Sequence, residues 1–181
     1  MTKTALRTRS MAYTAMMVAL MAICAWISIP TAAVSFTMQT FGVYVAAGLL
    51  GARRGTAAVA VYILLGAVGL PVFSNMTGGI GALAGTTGGY IVGFIFLAAI
   101  SGAVSSRLES KAAALAGMLT GTAVCYAFGT AWYMVLYTAN TGPVGLLTVL
   151  GACVFPFILP DILKMLLALA VIRAVKPHIQ L

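Results

Sequence analysis

Six apolar runs separated by short connections make up most of the chain, and they leave it almost no way to fold in water. The runs cover roughly residues 10–29, 35–50, 55–70, 88–104, 112–137 and 147–175. Only 7% of the residues are charged and 62% are hydrophobic, whereas a soluble domain carries about 25% charged residues. A surface so poor in charge is solvated by lipid, and each run is read as a transmembrane helix of about 20 residues. The second and third runs are short for this, so they are expected to extend into their loops or to sit where the bilayer thins. The 181 residues are read as a single membrane domain, 1–181.

Direction follows from the charges. Lys3, Arg7 and Arg9 precede the first run, and Arg53 and Arg54 separate the second from the third. Arg107, Glu109 and Lys111 separate the fourth from the fifth, and Arg173 and Lys176 close the sixth. If the runs alternate in direction, nine of the ten basic residues fall on one side, which the positive-inside rule makes cytoplasmic. The opposite connections, 30–34, 71–87 and 139–145, hold no charge. The expected fold is therefore an all-α membrane protein with six transmembrane helices and both termini inside. A long outer loop joins helices 3 and 4. The same sorting accounts for the formal charge of +8, so nucleic acid is not an expected partner. Basic residues ahead of the first run, with Ala32 and Ala33 after it, imitate a signal peptide. The run is longer than the usual 7–15-residue signal core and is read as a retained span.

Two charges break the pattern. Asp161 and Lys164 stand inside the sixth run, after Pro156 and Pro160 and ahead of a continuous helical stretch over 162–175. Lys164 precedes Arg173 by nine residues, about 14 Å of helix, which puts the pair within hydrocarbon depth. A charge there costs roughly 2.5–3.5 kcal/mol on insertion scales. At i and i+3 the two share a helix face, so one reading is a self-neutralising structural pair. The other is a ligand site, in which Lys164 receives a carboxylate and Asp161 accepts N–H donors. Gln39 at the start of the second span, Asn75 in the long loop and Tyr90 at the start of the fourth could converge there. Amide side chains offer both donor and acceptor, which suits an amide or urea group. Trp132, Tyr133 and Tyr137 read as an interfacial aromatic belt rather than a ligand cage.

The long loop, PVFSNMTGGIGALAGTT, is uncharged and rich in glycine and small hydroxyl residues. Phe73, Met76, Ile80 and Leu83 within it suggest that part of it packs, as a lid would. Small residues also form stripes. Gly89–Gly93 and Gly117–Gly121 are GxxxG pairs expected to pack inside the bundle. Ala12, Ala15, Ala19 and Ala22 form a stripe that faces either the bundle or a partner protein. Cys24, Cys125 and Cys153 lie in apolar segments without CxxC spacing and read as buried free thiols. His178 is the one histidine. With no GxSxG, HExxH or GK[ST] motif, the chain is read as neither an enzyme nor a nucleotide hydrolase. No metal site and no cofactor are expected.

Several segments in order, Phe36-Thr37-Met38-Gln39-Thr40-Phe41-Gly42, Gly69-Leu70-Pro71-Val72-Phe73, the stretch from Gly85 through Thr86, Thr87 and Tyr90 to Phe94, and Pro156-Phe157 with Asp161 and Lys164, resemble the BioY family. These are biotin-binding S components of energy-coupling-factor (ECF) transporters. Thr86 stands where the family usually has Pro, and Pro160 where Gly is common before the Asp. The resemblance implies high-affinity capture of biotin outside a prokaryotic cell, at the cytoplasmic membrane. It also implies docking on a transmembrane coupling protein energised in trans by ATPases. Biotin is then substrate rather than cofactor. Ala15 and Ala19 match the AxxxA element that such components use for docking. The valerate is expected at Lys164 and the ureido ring at Asp161 and Asn75, with the roles open to exchange. The competing reading is a stand-alone permease or channel. It requires a polar stripe along several helices, whereas the polar groups here gather at the outer ends.

Overall fold

The structure, a computed structural model, describes residues 3–30, 34–107 and 110–179. Glu109 and the pair Ala32 and Ala33 lie outside the described residues. Helix α1 (Lys3–Trp26) leads into a two-stranded antiparallel ribbon, β1 (Ser28–Ile29) with β2 (Phe36–Thr37), that pairs Ser28 with Thr37. Then follow α2 (Gln39–Ala67), a single 3-10 turn at Ser74–Met76, α3 (Ile80–Ala84), α4 (Gly88–Arg107), α5 (Lys111–Asn140), α6 (Leu146–Cys153) and α7 (Phe155–Val175). Among the described residues, five segments are long and apolar enough to cross a membrane: 7–26, 39–67, 88–105, 111–140 and 146–178.

The segment α2 is not one rod. Gln39 Nε2 lies 2.6 Å from the Tyr62 hydroxyl, whereas 23 residues of straight helix would hold them about 34 Å apart. The fold-back is at Gly51, whose φ of 74° and ψ of −179° are open to glycine but not to a residue with a side chain. It yields two antiparallel arms, 39–50 and 52–67, close to the second and third runs read from the sequence. Their closeness depends on Gly55, where a Cβ would come within 2.8 Å of the Ala47 Cα.

One position differs from expectation. Pro160 does not precede the final helix but sits inside α7, which begins at Phe155 with Pro156 in its first turn. A proline within a membrane helix is tolerated where neighbouring segments and side chains satisfy the freed backbone. The break before α7 falls instead at Val154, with φ −124° and ψ −59°.

Glycines set the helix spacing. A Cβ on Gly89 or Gly93 of α4 would strike Trp132 and Cys125 of α5, and one on Gly117 or Gly121 of α5 would strike Val104 and Leu97 of α4. Both GxxxG pairs thus serve the α4–α5 contact. At the other end of the bundle, Gly48 receives the Ile172 side chain and Gly102 lies against Ala52. The Gly51 turn, the end of α4, the start of α5 and the end of α7 therefore meet at one end, which carries Arg53, Arg54, Lys111 and Arg173. The opposite end carries the ribbon and residues 71–87.

That loop packs, as its apolar residues suggested. Phe73 is fully buried and meets Tyr62 edge-on at 5.6 Å. Trp26 Nε1 donates to the Pro71 carbonyl (2.8 Å), Trp132 Nε1 to the Gly85 carbonyl (3.0 Å), and the Gly79 amide to the Gly66 carbonyl (2.7 Å). Trp132 is thus a loop latch. Tyr133 and Tyr137 stack on each other at 5.6 Å. The three cysteines are buried and free.

Candidate functional site

Beneath the loop lies a cavity of about 590 Å³, lined among others by Gln39, Asn75, Tyr90, Asp161 and Lys164. The five ligand candidates named from sequence thus line one chamber. At its base Lys164 Nζ lies 2.7 Å from Asp161 Oδ1, and the two residues are only 5% and 3% exposed. A buried pair survives the loss of hydration only when further hydrogen bonds complete it. Here Thr40 Oγ1 donates to Asp161 Oδ1 at 3.0 Å, and the Tyr126 hydroxyl donates to Oδ2 at 2.5 Å. Lys164 Nζ also donates to Thr40 Oγ1 at 3.3 Å and stands 4.6 Å above the centre of the Phe36 ring, a favourable seat for a cation. Phe36 in turn stacks on Phe157 at 5.5 Å.

A carboxylate offers about four acceptor positions and an ammonium three donors. Asp161 has three positions filled, by Lys164, Thr40 and Tyr126, and one open on Oδ2. Lys164 has two donors engaged, by Asp161 and Thr40. The base of the chamber is therefore a neutral dyad presenting one acceptor and one donor. Phe73, Ile91, Phe94 and Leu97 add apolar wall. Such a chamber takes a compact, largely apolar molecule carrying a polar edge.

The other candidates stand differently. Gln39 is buried, with Oε1 accepting from Thr37 (3.1 Å) and Nε2 donating to Tyr62, whose hydroxyl passes on to the Val72 carbonyl (2.7 Å). This relay fastens the start of the loop to both arms of α2 and leaves Gln39 one free N–H. Asn75 sits at the mouth with left-handed backbone, φ 54°. Its Oδ1 accepts from Ser28 (2.9 Å) and its Nδ2 donates to Ser35 (3.0 Å), so it ties the loop to the ribbon. The Tyr90 hydroxyl pairs with Thr130 at 3.2 Å, in room left by Gly129.

Sequence reading missed Tyr126, Thr40 and Phe36. Tyr126 lies 35 residues from Asp161 and Thr40 lies 121 away, and within apolar runs neither carries a local signal. Ala12, Ala15 and Ala19 are exposed along α1, whereas Ala22 is buried.

A family model described as BioY family matches residues 1–181. Among curated relatives, the biotin transporter BioY of Thermotoga maritima is 41% identical over 150 residues, 83% of this chain and 85% of that protein. The probable biotin transporter BioY of Pyrococcus horikoshii is 33% identical over 159 residues, 88% of this chain and 91% of that one. The fold is similar to a crystal structure of the S-component for biotin from an ECF-type ABC transporter. The TM-score is 0.86 at 27% identity, covering 98% of this chain and 95% of the other.

Proposed function

The chain belongs to the BioY family, and from that premise we propose that it takes up biotin as the substrate-binding subunit of an ECF-type transporter, holding the vitamin in the chamber above Asp161 and Lys164. It is a multi-pass membrane protein of a transporter family and not an enzyme. Counting the two arms of α2 separately supports six crossings. Charge sorting supports cytoplasmic termini and a loop 71–87 facing outward, and the relatives in Thermotoga maritima and Pyrococcus horikoshii support a home in a prokaryotic cell membrane. Energy for release would come in trans from ATPases through a coupling protein.

The observation that carries the reading is the half-satisfied dyad at the chamber base. One edge of a urea offers one N–H and one carbonyl oxygen, the complement of the open Asp161 acceptor and the remaining Lys164 donor. A carboxylate placed there would leave a net negative charge at depth, which desolvation opposes. We therefore assign the ureido ring to the dyad and the thiophane ring to the apolar walls. The valerate goes to the mouth near Asn75, where water reaches it. This exchanges the two ends relative to the assignment taken from the resemblance.

Equilibrium binding of labelled biotin to the detergent-purified chain tests both levels. Blocking a ureido nitrogen with a methoxycarbonyl group should weaken competition by about a hundredfold or more, as for loss of a buried polar pairing. The methyl ester should lose only about tenfold, the scale of a hydrogen bond to charge near water. The opposite order would overturn the orientation, and no binding by folded protein would overturn the substrate.

Docking makes a separate prediction. Ala15 and Ala19 are exposed on α1, and small residues there let a partner helix approach closely. Replacing both by Leu is expected to leave biotin affinity in detergent unchanged. It should cut uptake in cells carrying the energising subunits by about tenfold or more, equivalent to roughly 1.4 kcal/mol of lost contact. Normal uptake would remove these residues from the interface.

A further inference from the structure

The end of the bundle away from the chamber holds a recess of about 280 Å³ between the start of α5 and the end of α7. Lys111, Arg173 and Lys176 line it, together with Ser105 and Ser110, and among the described residues no acidic one is in its lining. We propose that this recess is a binding site for a phosphate group, carried by the headgroup of an anionic phospholipid.

Sorting of charge across a bilayer requires cations at this end but does not require them to converge. Arg53 and Arg54 satisfy the same requirement at the Gly51 turn, where they are exposed and line no part of the recess. Lys111, Arg173 and Lys176 come from opposite ends of two helices and a terminal turn, yet share one concavity. The recess is also prepared for an acceptor-rich guest. It opens at the first turn of α5, the positive end of a 30-residue helix dipole. Ser105 contributes to its wall with a buried Oγ that has no hydrogen-bond partner among the described residues. A buried hydroxyl left unpaired is costly, and a phosphate oxygen would complete it.

The remaining wall identifies the source. Ala114, Leu169 and Ile172 line the recess beside the cations. Ile172 is turned into the bundle against Gly48, while the half-buried Leu169 leads one turn back along α7 to the exposed Leu166 on the apolar outer surface. A phosphate with acyl chains matches both the charged rim and this apolar flank, whereas free phosphate uses only the rim. The recess sits where helix meets interface, the depth of a headgroup, and juxtamembrane cations there gain from anionic lipid.

The test titrates short-chain phosphatidylglycerol into the purified chain in neutral detergent, with phosphatidylcholine and inorganic phosphate as comparison ligands. The expected result is saturable binding of phosphatidylglycerol alone. Losing the three cations in K111Q/R173Q/K176Q should weaken it by on the order of a hundredfold, from about fivefold per cation. R53Q/R54Q should retain it. Ser105→Ala should weaken it while leaving the unfolding temperature in phosphatidylcholine unchanged or raised, because it removes an unpaired hydroxyl; this variant keeps the test independent of any folding defect in the triple one. Inorganic phosphate binding as tightly as the lipid would overturn the lipid source. Equal loss in R53Q/R54Q, or no preference for phosphatidylglycerol, would overturn the site, since diffuse attraction to net charge would then explain the data.

Discussion

Lys164→Met is expected to destabilise the bundle by about 3–5 kcal/mol, and adding Asp161→Asn is expected to recover most of that while biotin binding stays lost. The single change leaves a carboxylate, 3% exposed, without its counter-ion. Thr40 and Tyr126 still donate to it, but neutral donors do not replace a full charge at 2.7 Å. Met is of similar length, so packing against Phe36 is largely kept and the loss reports charge. In the double variant Asn offers one carbonyl oxygen and a neutral amide, and the buried charge is gone. Thermal unfolding in detergent reads the first effect, and labelled biotin reads the second. A double variant that regains stability and also binds biotin normally would reduce the pair to a structural device. Stability lost to the same extent in both would show that Lys164 packs rather than pairs.

What could be read from residues alone was whatever had a one-dimensional signature. The hairpin within α2 was legible because Arg53 and Arg54 interrupt an apolar stretch and because alternation required a reversal there. The GxxxG pairs were legible because spacing alone places them on one face. Asp161 and Lys164 stood out because charge is rare at that depth. Pro160 misled, since a proline ahead of a long apolar run looks like a helix boundary, whereas the carbonyl freed at Pro156 is tolerable so near the start of α7. Tyr126 was invisible for a different reason. An aromatic residue in the middle of α5 looks like core, and only the crossing of α5 on α7 brings its hydroxyl to Asp161. The latching role of Asn75 likewise depends on a backbone with φ 54°, which no local pattern announces.

The loop is seated by one ring in one gap, so Gly66→Ala should act on substrate retention from outside the chamber. Phe73 is fully buried, and a Cβ at Gly66 would fall 2.0 Å from its Cζ and 2.5 Å from both Cε atoms. Neither partner can yield easily. Gly66 lies within the second arm of α2, and its carbonyl accepts from the Gly69 and Gly79 amides that begin and fold the loop. The ring must therefore leave, at a cost comparable to deleting it, about 3–5 kcal/mol for a buried Phe. The gain from Ala over Gly within a helix, about 1 kcal/mol, does not offset this. With Phe73 unseated, the relay from Gln39 through Tyr62 to Val72 loses its neighbour and the cover over the chamber loosens. Gly66→Ala is expected to lower the unfolding temperature and to speed biotin release in a chase experiment more than it slows association. Phe73→Leu supplies the internal check, because leucine lacks the far ring atoms that meet the new methyl. It should be mild alone and should restore part of what Gly66→Ala loses, giving a coupling of the sign and size expected for residues in contact, roughly 0.5–3 kcal/mol. Strict additivity of the two changes would mean that Phe73 does not fill the Gly66 gap, and the ring would then not be what holds the loop over the chamber.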